Sequence, residues 1–297
     1  MEPGNPPKQS DEIILENRPD YGSAHYYPRP SELSVKDYAI CLILFLATLF
    51  TTWLIGGIWF SVGLLLILSS HEFGHYWAAR KNNIRTSLPY FLPAPPFFLA
   101  GTFGAFIRIK EPIPDRRVLM EIGAYGPVAG FIVAIPVLVI GLSLSAVTID
   151  IGNYSGQLSL GNSLAMVVLC KLVLGVTDFT PGIMIGLHPL ALAGWFGLFF
   201  TALNLWPVGQ LDGGHIFYAL LPKYCLLMAK IFLIFLIPMG FLWAGWWVWA
   251  VMIFLVGFKH PPLPYEIIPL EKKHRIIGYV SIFIFLVTFL PIPIEVA

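Results

Sequence analysis

An apolar segment of this chain runs directly into two histidines that are four residues apart. Trp59 to Ser70 contains no charged residue, and His71-Glu72-Phe73-Gly74-His75 follows it. Side chains four residues apart lie on one face of a helix, so His71 and His75 can bind the same metal ion beside a carboxylate that handles protons. Ionisable residues are costly among lipid chains and are rarely found there without a function. The pattern therefore predicts a metal site at the end of a membrane-spanning helix.

The composition agrees with a chain that lies mostly in a membrane. Of the 297 residues 57% are hydrophobic and only 12% are charged, about half the charged fraction of an average soluble domain. A net charge of +1 argues against a role in binding nucleic acid. Residues 1–36 are polar, rich in proline and unlike a cleavable signal peptide. We expect a poorly ordered cytoplasmic tail at 1–36 and one membrane-embedded domain at 37–297.

Seven apolar stretches approach the roughly 20 residues that a transmembrane helix needs. They lie at 37–56, 58–80, 118–146, 188–207, 225–241, 242–258 and 276–292. One tilted helix over 226–258 is the alternative to the fifth and sixth, but Pro238 and Gly240 offer a break, and two spans keep the following basic residues inside. We predict an all-α polytopic membrane protein with six to seven transmembrane helices, in which the His71 end of the second span faces the cytoplasm.

Two stretches do not fit a spanning helix. Prolines interrupt the first, 87–114, and the glycines, aromatic residues and alternation of its part 100–110 suit a short membrane-associated strand or hairpin. The second, 162–175, is too short to span and is expected to be an interfacial helix on the outer side.

A catalytic zinc ion keeps three protein ligands, so a third ligand must come from another segment. We favour Asp212, at the cytoplasmic end of the fourth predicted span, where prolines and glycines break the helix and turn polar groups towards a cavity. A plain turn is the alternative for an Asp beside glycines. His215 could compete as the ligand, although we prefer it as a supporting or interface residue. His188 should lie at the opposite face, about a membrane thickness away.

Three spaced motifs resemble the site-2 protease family of intramembrane metalloproteases. They are the segment His71–His75, Gly126-Pro127-Val128-Ala129-Gly130, and Asn204 to Gly214, which matches the family pattern Asn-x-x-Pro-x-x-x-Leu-Asp-Gly. Stretches at 87–91, 101–109, 113–116 and 188–191 resemble a narrower branch with prokaryotic and plant plastid members. The likeness runs from about residue 40 to the C-terminus, without a PDZ or CBS module. Considered without the motif, the small residues Gly126 and Gly130 indicate positions where a neighbouring helix packs closely.

The resemblance implies a zinc metalloendopeptidase that cuts transmembrane protein substrates within the bilayer, in a prokaryotic cell membrane. His71, His75 and Asp212 would bind one zinc ion. Glu72 would activate a water molecule and then protonate the leaving amine, and Asn204 would donate a hydrogen bond to the developing oxyanion. An extended substrate would pair with a strand formed by Gly101, Thr102, Phe103, Gly104, Ala105 and Phe106.

Other interpretations stay open. The two histidines could be packing residues bonded to backbone, Asn204 could make an inter-helix hydrogen bond, and the strand could be a structural hairpin. The chain could also be a catalytically silent homologue that binds membrane proteins. A metal-ion transporter would instead spread its ligands through the membrane depth and show inverted repeats.

Overall fold

The computed structural model describes residues 34–95, 100–149, 158–176, 180, 183–258, 260–265 and 268–296, so the predicted tail lies almost wholly outside the described residues. The described helices are α1 (Val35–Lys81), α2 (Arg116–Ser143), α3 (Leu164–Leu174), α4 (Pro189–Asn204), α5 (Asp212–Leu220), α6 (Pro222–Leu242), α7 (Gly245–Val256) and α8 (Lys272–Thr288). The described strands are β1 (Tyr90–Pro93), β2 (Thr102–Phe106), β3 (Ala146–Ile149), β4 (Leu158–Leu160), β5 (Ile183–Gly186) and β6 (Ile294–Val296). The mostly helical architecture is therefore as predicted.

Helix α1 reverses direction at Gly57. This residue has a φ of 73° and a ψ of −176°, a conformation outside the helical region that glycine adopts without strain. The Ser61 hydroxyl donates to the Leu49 carbonyl over 2.9 Å, although a straight helix would hold residues 12 positions apart at about 18 Å. The arms 35–56 and 58–81 coincide closely with the first two predicted spans.

Among the described helices, α1, α2 and α6 are long and apolar enough to cross a membrane. Helices α3, α4 and α7 are apolar but shorter. The membrane character is thus supported, whereas six to seven spans and their orientation stay predictions.

The apolar run 226–258 is divided into two helices close to the predicted boundary between residues 241 and 242, although Pro238 and Gly240 do not make the break. Helix α6 continues through Pro238 and Gly240 to Leu242, and the break falls at Trp243. The chain then folds back, because the Trp247 indole donates to the Ile237 carbonyl over 3.1 Å. Gly240 serves this close approach, since a Cβ there would lie 1.8 Å from Trp247 Nε1.

Three antiparallel strand pairs complete the fold of the described residues. The predicted strand near 100–110 is β2, which pairs with β1 so that Tyr90 lies opposite Phe106. The pairs β3 with β5 and β4 with β6 were not predicted. Helix α2 ends at Ser143, earlier than the predicted 146, because the chain enters β3. Helix α3 occupies the segment expected to be an interfacial helix.

Helix α2 lies at the centre and packs against α1, α4, α5 and α8. Small residues bring the helices close: a Cβ on Gly141 would lie 2.1 Å from the Ala191 nitrogen, and one on Gly194 would lie 2.7 Å from Leu138 Cβ. This packing brings the start of α2, the second arm of α1 and the end of α4 to one end of the molecule.

Candidate metal centre

Three side chains predicted to bind metal converge at this end. His71 and His75 lie on the second arm of α1, and Asp212 is the first residue of α5. Asp212 Oδ2 lies 3.2 Å from His71 Nε2 and 3.3 Å from His75 Nε2, and the two ring nitrogens are 3.0 Å apart. Both histidines are buried, and the Asp212 side chain is only 14% exposed.

The backbone of α2 sets the orientation of His75. Its Nδ1 atom lies 2.7 Å from the Ile122 carbonyl oxygen, which can only accept. Nδ1 therefore carries the proton, and the Nε2 lone pair faces Asp212 and His71. A backbone carbonyl that fixes the tautomer of a ring in this way is a common companion of metal-binding histidine.

Glycines on one face of α2 make room for these rings. A Cβ on Gly126 would lie 2.1 Å from His75 Nε2, and one on Gly130 would lie 3.2 Å from His71 Nδ1. A Cβ on Gly123 would lie 2.8 Å from His215 Cβ. The sequence indicated helix packing for Gly126 and Gly130, but their partners are the imidazoles. The spacing of glycines in the motif that begins at Gly126 predicted a close contact, but the spacing does not reveal which side chains make it.

The turn between α4 and α5 aims Asp212 back at α1. Gly209 has a φ of 57°, and a Cβ on Gly213 would lie 2.0 Å from the Leu205 carbonyl oxygen. Such tight packing lets α5 begin immediately beside the end of α4. The first turn of a helix also favours a carboxylate, because backbone N–H groups there have no helical partner.

Two further predicted site residues lie beside the cluster. The Glu72 side chain is buried and lies close to the backbone of Ile107, directly after β2. The Asn204 amide nitrogen lies 3.4 Å from His71 Nε2. The strand β2 holds five of the six residues predicted to pair with substrate, and Gly101 precedes it.

His215, the competing candidate ligand, is engaged elsewhere. The His260 Nδ1 atom donates to the Pro261 carbonyl over 2.6 Å, so His260 Nε2 accepts from His215 Nδ1 over 2.9 Å. The Tyr218 ring stacks on His260 with centroids 4.2 Å apart. Burial lowers the pKa of His215, which keeps the ring neutral. His215 is therefore an interface residue between α5 and the loop after α7.

The remaining described histidines also lie outside the metal-binding group. His188 caps α4, where its Nδ1 accepts from the Leu190 N–H over 3.2 Å. His274 Nε2 lies 3.4 Å from Glu121 Oε1.

The donor set fits a divalent zinc ion. Two imidazole nitrogens and one carboxylate oxygen lie within 4.8 Å of one another. This is a ligand combination found in catalytic zinc sites. The tautomer of His75 leaves the lone pair of its Nε2 atom available to a metal ion. The absence of a side chain at Gly126 leaves room for the His75 ring in this position. Among the described residues, no other group of three histidine, cysteine or acidic side chains converges in this way.

A family model described as peptidase family M50 matches residues 59–238. The chain is 36% identical over 156 residues to the probable zinc metalloprotease EGY1, chloroplastic, of Arabidopsis thaliana, covering 52% of this chain and 28% of the relative. It is 31% identical over 236 residues to the probable zinc metalloprotease EGY2, chloroplastic, of the same plant, covering 77% of this chain and 40% of the relative. The chain thus spans well under half the length of these relatives. No solved structure matches it.

Proposed function

Because this chain belongs to peptidase family M50, we propose that it is an intramembrane zinc metalloendopeptidase that hydrolyses peptide bonds in or near transmembrane segments of other membrane proteins. The observation that carries the proposal is the convergence of His71, His75 and Asp212 within 4.8 Å, next to the buried Glu72. Two of these ligands lie on a helix apolar enough to cross a membrane.

His71, His75 and Asp212 would hold the zinc ion, which supplies an activated water molecule and a Lewis acid for the scissile carbonyl. Glu72 adjoins a ligand in sequence and is the group that accepts a proton and returns it to the leaving amine. The Asn204 amide, close to His71 Nε2, donates to the oxygen that becomes negative. Its neutral donor stabilises the transition state without adding charge to a buried site.

We propose that the substrate pairs with β2. The backbone groups of a transmembrane helix are already hydrogen-bonded, so the segment must unwind, and an open strand edge can pair with them again. In the described part of the chain β2 pairs with β1 alone. The strand leads to Ile107, whose backbone contacts Glu72, so a peptide paired along β2 would extend towards the catalytic carboxylate.

An apolar groove of about 590 Å³ adjoins this strand pair. Its walls come from α1, β1 and α2 and include Ser70, Phe73, Phe91 and Ile132. Phe73 and Ile132 are more than 60% exposed, so the groove opens on the outer surface of the helices, where lipid would lie. We propose that it receives apolar side chains of the substrate, which fits a transmembrane segment better than a soluble peptide.

We further propose that the metal centre lies towards the cytoplasmic side of the membrane; the prokaryotic cell membrane stays a prediction, because the relatives described above are chloroplastic by name. The support is the set of basic residues that follows the second arm of α1, because Lys and Arg collect in cytoplasmic loops. It includes Arg80, Lys81 and Arg85.

The decisive experiment compares the wild type with Glu72→Gln. The metal content of the purified variant should equal that of the wild type. Peptides with new termini inside transmembrane segments should appear in membranes that contain the wild type and be lost with the variant, because a general base contributes roughly 100- to 10,000-fold in rate. Glu295→Gln is the matched control, since Glu295 is an exposed residue of β6.

Full cleavage by Glu72→Gln would reject Glu72 as the base, whereas the absence of new termini with both the wild type and the variant would reject the peptidase and favour a silent homologue. A transporter would be expected to spread its ligands through the membrane depth, whereas the described metal-binding group is one cluster.

A further inference from the structure

Helix α5 begins with a proposed metal ligand but has no side-chain cap there. Asp212 is its first residue, and the preceding Leu211 makes no side-chain hydrogen bond to the helix. The helix has nine residues, so it is only about 14 Å long. Its last carbonyl groups have no partner within the helix and need donors from elsewhere. Whatever holds the far end of α5 therefore also restricts Asp212.

Arg116 supplies those donors from α2. Its Nε and Nη2 atoms donate to the Ala219 carbonyl oxygen over 2.8 and 2.6 Å, and Nη2 also donates to the Leu220 carbonyl oxygen over 3.4 Å. A guanidinium presents several donors in a fixed plane and stays charged. Its positive charge also suits the negative end of the α5 dipole.

The place of Arg116 in its own helix supports this role. It is the first residue of α2, where a positive charge is unfavourable for that helix. The N-terminus of α2 is already capped by Asp115, whose side chain accepts from the N–H groups of Arg117 and Val118. The side chain of Arg116 is therefore not needed by α2 and serves α5.

The same helix also orients the other half of the metal centre. The Ile122 carbonyl of α2 accepts from His75, and a Cβ on Gly123 would lie 3.1 Å from the Asp212 carbonyl oxygen. Helix α2 thus contacts His75 through Ile122, and contacts α5 through Gly123 and Arg116. It sets the distance between ligands that come from α1 and α5.

We propose that Arg116 is a positioning residue of the metal centre, which holds Asp212 in place against His71 and His75 by capping the C-terminus of α5. The inference rests on the proposed function, because it takes these three residues as the metal ligands. Loss of a residue that supports a ligand typically lowers metal affinity roughly 10- to 100-fold. We expect that loss for Arg116→Ala and a smaller one for Arg116→Lys, which keeps the charge but not the planar donors.

The test measures Co²⁺ binding by the purified full-length chain in detergent, because the visible spectrum of Co²⁺ reports the arrangement of its ligands. Arg275→Ala is the matched control, since Arg275 is an exposed arginine on α8. Arg116→Ala should bind Co²⁺ more weakly and with an altered spectrum, and Arg275→Ala should match the wild type. Wild-type affinity and spectrum for Arg116→Ala would overturn the inference alone. A wild-type chain that binds neither Co²⁺ nor Zn²⁺ would overturn the proposed function and the inference with it.

A double-mutant cycle separates positioning from support of the fold as a whole. In an Asp212→Ala background, Arg116→Ala should cause no further loss of Co²⁺ affinity, because the ligand that it positions is gone. A further loss of the same size in that background would reject the positioning role. The same cycle with Arg116→Lys gives the answer if Arg116→Ala does not fold.

Discussion

The two ends of the helix bundle are held together by different kinds of contact. At the metal-centre end, the described residues include six buried ionisable side chains, which are His71, Glu72, His75, Asp115, Glu121 and His274. At the end of α2 beyond Ser143, the chain instead closes through backbone pairing of β3 with β5 and of β4 with β6. These pairings are made by backbone N–H and C=O groups and contain none of the metal-binding side chains. Substitutions at the first end should therefore affect metal binding, and those at the second should affect stability alone.

The largest difference in zinc affinity is expected between the variants Asp212→Ala, at the metal-centre end, and His188→Ala, at the other end. Loss of a ligand should reduce zinc affinity by more than the roughly 100-fold that loss of a supporting residue can cost. His188 caps α4 and lies beside the Trp59 ring, away from the metal-binding group, so its loss should cost about 0.5–2 kcal/mol of stability and leave the zinc content unchanged. Metal analysis and thermal unfolding of both variants provide the measurements.

Unchanged zinc in Asp212→Ala would move the third ligand elsewhere. His215 would then be the next residue to substitute, although its Nδ1 atom bonds to His260 in the structure. Reduced zinc in His188→Ala would show that the two ends are coupled.

The variants Gly126→Ala and Gly141→Ala allow the two ends of the bundle to be compared within one helix, α2. A Cβ at either position would lie 2.1 Å from its neighbour, which is His75 Nε2 for Gly126 and the Ala191 nitrogen for Gly141. Overpacking should cost each variant about 1–3 kcal/mol of stability. Only Gly126→Ala should also weaken zinc binding, because it displaces a ligand ring.

Zinc titrations at a temperature where both glycine variants are folded would test this difference. Equal zinc affinity in the two variants would show that the His75 ring can move without cost. Gly126 would then be a general packing position, as the sequence alone indicated.

How far the sequence predicted the fold depended on how local each signal was. Gly57 divides α1 where the sequence placed the boundary between the first two spans, because the adjacent glycines Gly56 and Gly57 interrupt the apolar run there. Pro238 was misleading, since a helix in lipid can continue past a proline when neighbouring groups compensate for the lost hydrogen bond. The pairing of 158–160 with 294–296 joins short segments that are far apart in the chain, and neither has a pattern that identifies its partner.

The site residues also differ in how local their sequence signals are. His71 and His75 are four residues apart, so helix geometry predicted that they share a face. Asp212 is 141 positions from His71, and only the resemblance and the broken helix pointed to it. The contact of Arg116 with Ala219 joins two helices through backbone carbonyl groups, which carry no sequence signal at all.

The smallest difference is expected between the two helix caps Asp115→Ala and Ser163→Ala. Asp115 accepts from two backbone N–H groups of α2 and from the Arg117 side chain, whereas Ser163 accepts only from the Met166 N–H of α3 at 3.2 Å. We expect about 2 kcal/mol of lost stability for Asp115→Ala and about 1 kcal/mol for Ser163→Ala, within the range known for helix caps.

The zinc affinity of the two cap variants matters more than their stability. A frayed first turn of α2 would loosen Arg116 and, through it, α5, so Asp115→Ala should weaken zinc binding a few-fold while Ser163→Ala should not. Thermal unfolding of the metal-free proteins gives the stabilities, and competition with a metal chelator gives the affinities. Equal affinities together with the expected loss of stability would mean that the first turn of α2 is independent of the metal centre. The contrast between the two ends would then begin only at Ile122, where the carbonyl group meets His75.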